Sequence, residues 1–581
     1  MQTVPLMRTP DRNLIFILAC LFALAWFSNI GYRKLVKADE GRYAEIPREM
    51  VASGDWLTPR LNGFKYFEKP ALQYWATAAA FTIFGQNEWA ARLWTALTGF
   101  FGVLLVCYAG NRVFDSAPIA VRGPPGIQVG LTAAIVLGSS AIYAFTGHML
   151  TLDMGVSFFM SAAVLAVVMA QRDDAEESDR RNWMLAGWAA MALAVLSKGL
   201  IGIVLPCAAV AGYILLQRDW RMLRRLHLLA GGALFLAIAA PWFIAVSLAN
   251  DEFFRFFFIH EHFERFLTKG HGRYQPAWYF IPVIAIGATP WLPAFLAGYW
   301  NAWKAAPDKR FQATRLLAIW CAVVFVFFSA SGSKLGSYIL PLFPAAALLT
   351  ALQLIKASRA GQIAQALLAA ALGIAVWVSA SQLTRFAEPV LPAELLALYI
   401  PWVAASGATL AIAGGAAALL AWTARPLYSI AVLAVGGLGF TQLAITGHET
   451  LSPLYSAYHI AEKIKPRLKL DTPVYTVNTF DHTLPFYLGR TVTMVGYKDE
   501  LAIAISWQPD KFIPDLAAFE RAWLADSEAF AVFAPTDFEK LSATLKTSMR
   551  IASTDPRRIV VEKIPAASGI EPAPAETRAA P

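Results

Sequence analysis

The stretch "KADEGRYAEIPREM" crowds Asp39, Glu40, Arg42 and Glu45 together just after a long apolar run. Carboxylates in such a cluster can act as a general base, orient hydroxyls or an amine, or pair with arginine. Asp39 is the leading candidate for the base, and Asp153 in "TLDMG" is the second. Glu40 and Arg42 either touch a substrate or pair with each other and hold the loop. A further group of residues suits an oxyanion. Lys69 in "YFEKP" precedes Pro70, and Pro fits the first turn of a helix, where free N–H groups and a lysine can together hold a phosphate. Arg255 and Arg265 in "RFFFIHEHFER" carry the planar fork that binds phosphate through two bonds. Tyr338 in "GSKLGSYILP" stands at the top of an apolar run, within reach of a headgroup. Lys198 and Lys334 end apolar runs, where they either snorkel or meet an anionic substrate. Tyr43 and Tyr66 belong to an aromatic set that either anchors the loop at headgroup level or faces a substrate. The set His260, Glu261 and His262 is not H-E-x-x-H, so a metalloprotease is excluded. Histidines two apart face opposite sides of a helix, which leaves Glu68 with His262 as the expected ligands of a divalent metal, zinc or magnesium.

The elements that position these residues are membrane helices. The chain of 581 residues is 57% hydrophobic and 15% charged, against about a quarter charged in soluble domains. Many segments approach the roughly 20 apolar residues that cross a hydrocarbon core. We read thirteen, near 13–32, 87–109, 129–147, 154–171, 183–197, 200–216, 226–248, 279–300, 314–330, 338–355, 361–382, 397–421 and 427–446. The pair around "SKG" is the least separated. The four cysteines lie inside apolar runs and read as small buried hydrophobes, not disulfides. The net charge of +9 reflects basic loops beside anionic lipid heads, with no nucleic-acid partner.

Parity sorts the loops into two groups. The short, basic ones, with the N-terminus, are expected to be cytoplasmic. The loops 33–86 and 249–278, the turns containing "TLDMG", "SKGL" and "GSKLGS", and everything after 446 lie together on the other, periplasmic face. The candidate residues therefore converge on one side of the membrane, where clustered charge beside lipid points to a site. In the first loop, Tyr43, Ile46, Met50 and Val51 recur at helical spacing opposite Glu45, Arg48 and Glu49. That pattern predicts a short amphipathic helix in the interface, with Pro47 kinking it or limiting its start. Domains are expected at 1–446 (membrane part), 447–564 (a small soluble α/β domain) and 565–581 (a Pro/Ala-rich disordered tail). "PVYTV", "TVTMV", "AFAVFA" and "RIVVEKI" read as strands, "SAYHIAEKIK" and "FEKLSATLK" as helices.

No Walker A motif, dinucleotide-binding fingerprint or soluble Ser-His-Asp pattern is evident. An activated donor already dissolved in the membrane, a polyprenyl-phosphate sugar, fits these residues: an apolar tail between helices, a phosphate for Lys and Arg, and a sugar among aromatics. "DEGRYAEIPREMVASGDWLTPRLNGFKYFEKPALQYW", "TLDMG", "SKGLIGIVLP", "FFFIHEHFERF" and "GSKLGSYILPLFPA" resemble the ArnT-like lipid-linked sugar transferases, over roughly residues 10–350. That resemblance implies a GT-C fold and an inverting transfer of aminoarabinose from undecaprenyl phosphate to a lipid A phosphate. It also implies an inner-membrane location and polymyxin resistance. We expect a monomer in contact with membrane lipids. Asp39 and Asp153 would serve the reacting centre; Lys69, Arg265, Arg255 and Tyr338 the donor phosphate; Glu40, Arg42, Tyr43, Tyr66, Lys198 and Lys334 the substrates. A related transferase acting on a protein or another envelope glycan is the alternative. A transporter is disfavoured, because the charges gather at one face and no repeated half is present.

Overall fold

Apolar runs in lipid must satisfy their own backbone groups, so they fold as helices. The computed structural model describes residues 12–114, 129–264, 275–304 and 309–564. A helix or bent helix pair lies at each of the thirteen expected segments. In chain order the first are α1 (Arg12–Phe27), α2 (Asp39–Ser53), α3 (Leu72–Phe84), α4 (Glu88–Phe114), α5 (Val129–Ser139), α6 (Ala141–Gly147), α7 (Leu152–Ala170), α8 (Glu177–Lys198), α9 (Ile201–Gln217) and α10 (Leu228–Ala249). By length and apolar composition alone, eight helices of the described residues can cross a membrane, or ten if each of two bent pairs counts as one span. The central helix is α7, with 89% of its apolar window buried; it carries Asp153 in its first turn.

The bent pairs keep their backbone satisfied through side chains. Ala277–Gly287 and Leu292–Asn301 meet at 116° around Pro290, which has no N–H to give. Gln365 spans that break: it accepts from the Ala294 N–H at 3.0 Å and donates to the Pro290 carbonyl. The short gap between α8 and α9 turns at Gly199, whose φ of 90° lies in the left-handed region that favours glycine.

The first loop forms α2 as a 15-residue helix that runs straight through Pro47, so the proline neither starts nor ends it. The expectation of an amphipathic helix lying in the interface is corrected: Glu40 through Met50 are all buried. Arg48 donates to the Gly489 carbonyl at 3.1 Å, so the polar face docks on the C-terminal domain. Gly41 is required there: a Cβ would sit 2.6 Å from the backbone of His482 and Thr483. A small antiparallel hairpin, β1 (Arg60–Leu61) with β2 (Phe64–Lys65), follows. Pro70 falls before α3, whose N-cap is Ala71, so Lys69 sits in the approach to the helix and not at its first turn.

The C-terminal part is a six-stranded sheet, order β5-β4-β3-β6-β8-β7. The strands are β3 (Val474–Val477), β4 (Thr493–Val495), β5 (Phe512–Ile513), β6 (Phe530–Phe533), β7 (Met549–Thr554) and β8 (Ile559–Lys563). The first four are parallel neighbours, and β8 pairs antiparallel with β6 and β7. The four expected strands are β3, β4, β6 and β8. The expected helix over "FEKLSATLK" is instead two short turns, Pro535–Glu539 and Ala543–Thr547, broken where Ser542 caps the second. One hydrophobic core joins the first loop to this domain: Leu35, Ile46, Phe64 and Tyr74 pack with Ile460, Leu484, Phe486 and Met494. Asn62 and Val492 clasp through two hydrogen bonds, at 2.9 and 2.7 Å. The tail 565–581 lies outside the described residues.

Candidate active site

Glu40 is the anchor. It is 1% exposed and takes Arg92 of α4 through two bonds, at 2.7 and 2.8 Å. It also accepts from the Leu150 and Val36 N–H groups at 2.9 and 3.0 Å. Burial alone would raise its pKa, but Arg92, then Arg33 and the Leu150 N–H, hold it down at about 2. The expected contact of Glu40 with substrate is corrected by this geometry, because its oxygens are filled and closed off from solvent. So is the expected Glu40–Arg42 pair: the residues have different partners. Through Leu150, Glu40 fixes the turn that starts α7 beside the start of α2. Asp39 and Asp153, one from each helix start, are placed by that bond.

Asp39 itself is half-buried and pairs with Arg42 at 2.6 Å. Arg42 reaches past it to Glu500 in the C-terminal domain, through Nε at 3.0 Å and through a second, shorter contact from Nη2. Glu500 also meets His482 Nε2 at 2.6 Å. Burial pushes the Glu500 carboxyl up, but His482 and Arg42 together hold it down at about 2. The first loop and the soluble domain thus build one charged cluster. Sequence reasoning missed Glu500 and His482. They lie more than 400 residues from Asp39 in sequence, and only the docking of α2 signals them.

Asp153 is fully engaged. One oxygen pairs closely with Lys198 at the end of α8, and the other accepts from Ser337 Oγ at 2.6 Å. Lys198 lies over the Tyr338 ring, 4.3 Å from its centroid, and within electrostatic reach of Asp39. The structure therefore joins Asp153, Lys198 and Tyr338, from three separate membrane helices, next to the Asp39 cluster. Asp153 is not a free base in this arrangement; it holds Lys198 in place.

Beside the Asp39 cluster lies a group of buried tyrosines, with Arg42 5.6 Å from the centroid of the Tyr43 ring. Tyr43 and Tyr74 have ring centroids 6.2 Å apart, and Tyr66 is 3% exposed. Burial first, then the Asp39 and Glu68 carboxylates, keep the Tyr43 phenol well above its ordinary range. Among the described residues the hydroxyls of Tyr66, Tyr74 and Thr77 and the amide nitrogen of Gln73 are buried without a hydrogen-bond partner. Buried polar atoms are normally paired, so these four mark polar capacity for a substrate or water. Glu68 faces the same tyrosines. Lys69 donates to the Glu68 carbonyl at 2.8 Å, with its Nζ 3.8 Å from the Glu68 carboxylate.

The remaining expected residues lie elsewhere or outside the described part. Lys334 is 5% exposed and caps the carbonyls of Gln275 and Ser331, so it holds a turn. Arg255 lines a separate cavity of about 430 Å³ with Asp251, Glu252, Phe256, Ile503 and Trp507. Arg265 and the side chain of His262 lie outside the described residues. Among the described residues no group of three His, Cys, Asp or Glu is placed to hold a metal. Glu68 alone offers one carboxylate, so water and substrate oxygens would have to complete a shell around any ion it shares with His262.

Comparison with known proteins adds to this geometry. Residues 460–563 match the aminoarabinose transferase C-terminal domain, and residues 13–254 match the dolichyl-phosphate-mannose-protein mannosyltransferase family. Undecaprenyl phosphate-alpha-4-amino-4-deoxy-L-arabinose arabinosyl transferase 1 of Sodalis glossinidius is 34% identical over 338 residues, 58% of each chain. The corresponding enzyme of Pseudomonas aeruginosa is 31% identical over 361 residues, 61% of each chain. The chain thus aligns with about three fifths of the length of these relatives. The crystal structure of ArnT from Cupriavidus metallidurans bound to undecaprenyl phosphate is similar nearly throughout. It has 36% identity and a TM-score of 0.89, and the match covers 96% of this chain and 98% of that one.

Proposed function

This chain belongs to the ArnT family, and on that footing we propose that it transfers 4-amino-4-deoxy-L-arabinose from undecaprenyl phosphate to a phosphate of lipid A. The observation that carries the reading is the pair of charged clusters, Asp39–Arg42–Glu500 and Asp153–Lys198–Tyr338, within electrostatic reach of each other, with buried tyrosines beside the first. Such a site has an anionic rim for an amine, aromatic faces for a sugar, and a lysine for a phosphate. The match of its fold to a protein that carries undecaprenyl phosphate supports a lipid-linked donor.

In this reading the sugar's C1–O bond to the donor phosphate breaks while an acceptor phosphate oxygen forms a new bond at C1 from the opposite face, with inversion. The leaving undecaprenyl phosphate takes both electrons of the broken bond. Lys69 and Tyr338 meet that charge, and Lys198 lies beside Tyr338; pre-placed cations in a low-dielectric site act most strongly on charge that develops. The acceptor phosphate is already anionic near neutral pH, so no strong base is needed. Asp39 keeps one oxygen on Arg42, and its other oxygen orients the sugar's amine or hydroxyls. Asp153 acts by positioning Lys198, and Tyr43 and Tyr66 flank the ring. A divalent ion on Glu68 and His262 belongs to the proposal as a further electrophile for phosphate. Loss of transfer on chelation, restored by zinc or magnesium, tests it. We place the protein in the bacterial inner membrane as a monomer. Its N-terminus is cytoplasmic and its C-terminal domain periplasmic, and its product confers polymyxin resistance.

The match of residues 13–254 to protein mannosyltransferases favours a second reading with a protein hydroxyl as acceptor. A hydroxyl needs a base, and Asp39 would then take its proton. Purified protein incubated with the lipid-linked aminosugar and lipid A tests the choice. Release of undecaprenyl phosphate that depends on lipid A supports the first reading; release only with a polypeptide or glycan acceptor would replace it.

A further inference from the structure

The membrane part holds an apolar cavity of about 330 Å³, lined among others by Val164 of α7, Met184, Trp188 and Met191 of α8, and Val210 of α9. It lies at the end opposite the candidate site. Helix α8 ends in Lys198 within the site, and at 1.5 Å per residue Met184 is roughly 20 Å below it. The floor is a single tight turn, Trp220–Arg225, whose Trp220 and Leu223 also line the cavity. That turn is held in place by the buried Met222 and by Trp188 Nε1, which donates to the Leu226 carbonyl at 3.0 Å.

The outer side of the turn is basic. Arg218, Arg221 and Arg224 are exposed and Arg225 half-buried, with only Asp219 opposing them within the segment. Glu177 stands nearby, 3.6 Å from His227. Among the described residues none of the four arginines makes a side-chain hydrogen bond or ion pair. Trp220 is 58% exposed, as suits a residue at headgroup level. An apolar cavity lined by Trp220 and Leu223, with exposed guanidinium groups on the same turn, suits a molecule with a hydrocarbon tail and an anionic head.

We propose that this cavity and its arginine rim bind an anionic phospholipid of the leaflet opposite the candidate site. One acyl chain lies between α7, α8 and α9, and the phosphate is held by Arg221, Arg224 and Arg225. Guanidinium forks suit that phosphate. Charge complementarity selects this occupant over the donor's polyprenyl tail: the donor phosphate belongs at the Lys198 end, and its tail would bring no charge to the arginines.

Cys207 lines the cavity, and Cys20 is an exposed reference thiol on α1. The test uses full-length protein in detergent, labelled with an apolar maleimide while phosphatidylglycerol, phosphatidylcholine or undecaprenyl phosphate is added. Phosphatidylglycerol is expected to slow Cys207 labelling about tenfold relative to Cys20, with phosphatidylcholine much less effective. The triple variant R221Q/R224Q/R225Q is expected to lose that difference and to retain less phosphatidylglycerol in native mass spectrometry. Equal protection by both phospholipids, or protection by undecaprenyl phosphate alone, would overturn the proposal. Should the triple variant fail to fold, the three-lipid comparison on the unmodified protein still decides it.

Discussion

The Glu40 anchor separates residues that build the site from residues that work in it, through the pair Glu40→Gln and Asp39→Asn. In the first variant the amide presents donors where Arg92 Nη2 and the Val36 N–H also donate, and Arg92, 0% exposed, loses its counter-charge. Holding this carboxyl at about 2 instead of 4.5 is worth roughly 3 kcal/mol, at about 1.4 kcal/mol per pKa unit. Removing one partner of a buried ion pair costs about 3–5 kcal/mol, so two routes give the same size. Asp39 is half-buried and among the described residues its side chain bonds only Arg42, so Asp39→Asn should change stability by less than about 1 kcal/mol. The assay is denaturant-induced unfolding in mixed micelles, followed by tryptophan fluorescence, beside a transfer assay. Glu40→Gln should lose about 3 kcal/mol at pH 7, and Asp39→Asn should keep its fold and lose transfer. The sign with pH follows from the depressed pKa. Glu40 contributes fully above the unfolded value near 4.5, and its contribution disappears as pH falls through about 2, a limb that Glu40→Gln should lack. A Glu40→Gln protein as stable as the wild type yet inactive would refute the anchoring role and return Glu40 to the substrate.

Further outcomes follow from the docking of α2. Gly41→Ala puts a methyl 2.6 Å from the 482–483 backbone and should free the C-terminal domain, seen as faster proteolysis between domains together with lost transfer. Arg42→Lys and Glu500→Gln each remove charge-assisted bonds worth about 1.5–3 kcal/mol; each should cut transfer about 10- to 100-fold, and the double variant should be little worse than either single one. Glu45 and Glu49 share one cation, Arg48, and burial raises both carboxyls, Glu45 to about 8. The contribution of this pair is complete below about 4.5 and is lost as pH rises through about 8, so wild-type stability should fall over that window and Glu45→Gln should flatten it.

Much of this was legible in the sequence, for definite reasons. Apolar length located the helices, because lipid forces long hydrogen-bonded segments, and loop parity brought Asp39, Lys69, Asp153, Lys198 and Tyr338 to one face. The face of α2 was misread because periodicity reports which side is polar, not what covers it; here Gly489 and its neighbours do. Arg92 is hidden inside "WAARLW", an apolar run, where its charge is tolerated because Glu40 and the carbonyls of Ile30, Arg33 and Lys34 meet it. Nothing in the sequence around Glu500 and His482 marks them as partners of Arg42. The Lys-Pro pair points to a helix start at Pro70, which the chain reaches only after that residue.

The central claim is transfer of an aminosugar to lipid A by this cluster, and mass spectrometry of lipid A tests it most directly. The protein and its Lys69→Ala variant would be expressed separately in a polymyxin-sensitive strain that makes the lipid-linked aminosugar but lacks its own transferase. Addition of one aminopentose to lipid A with the wild type and not with the variant is the predicted result. Unmodified lipid A, with the wild-type protein folded in the membrane, would contradict the account.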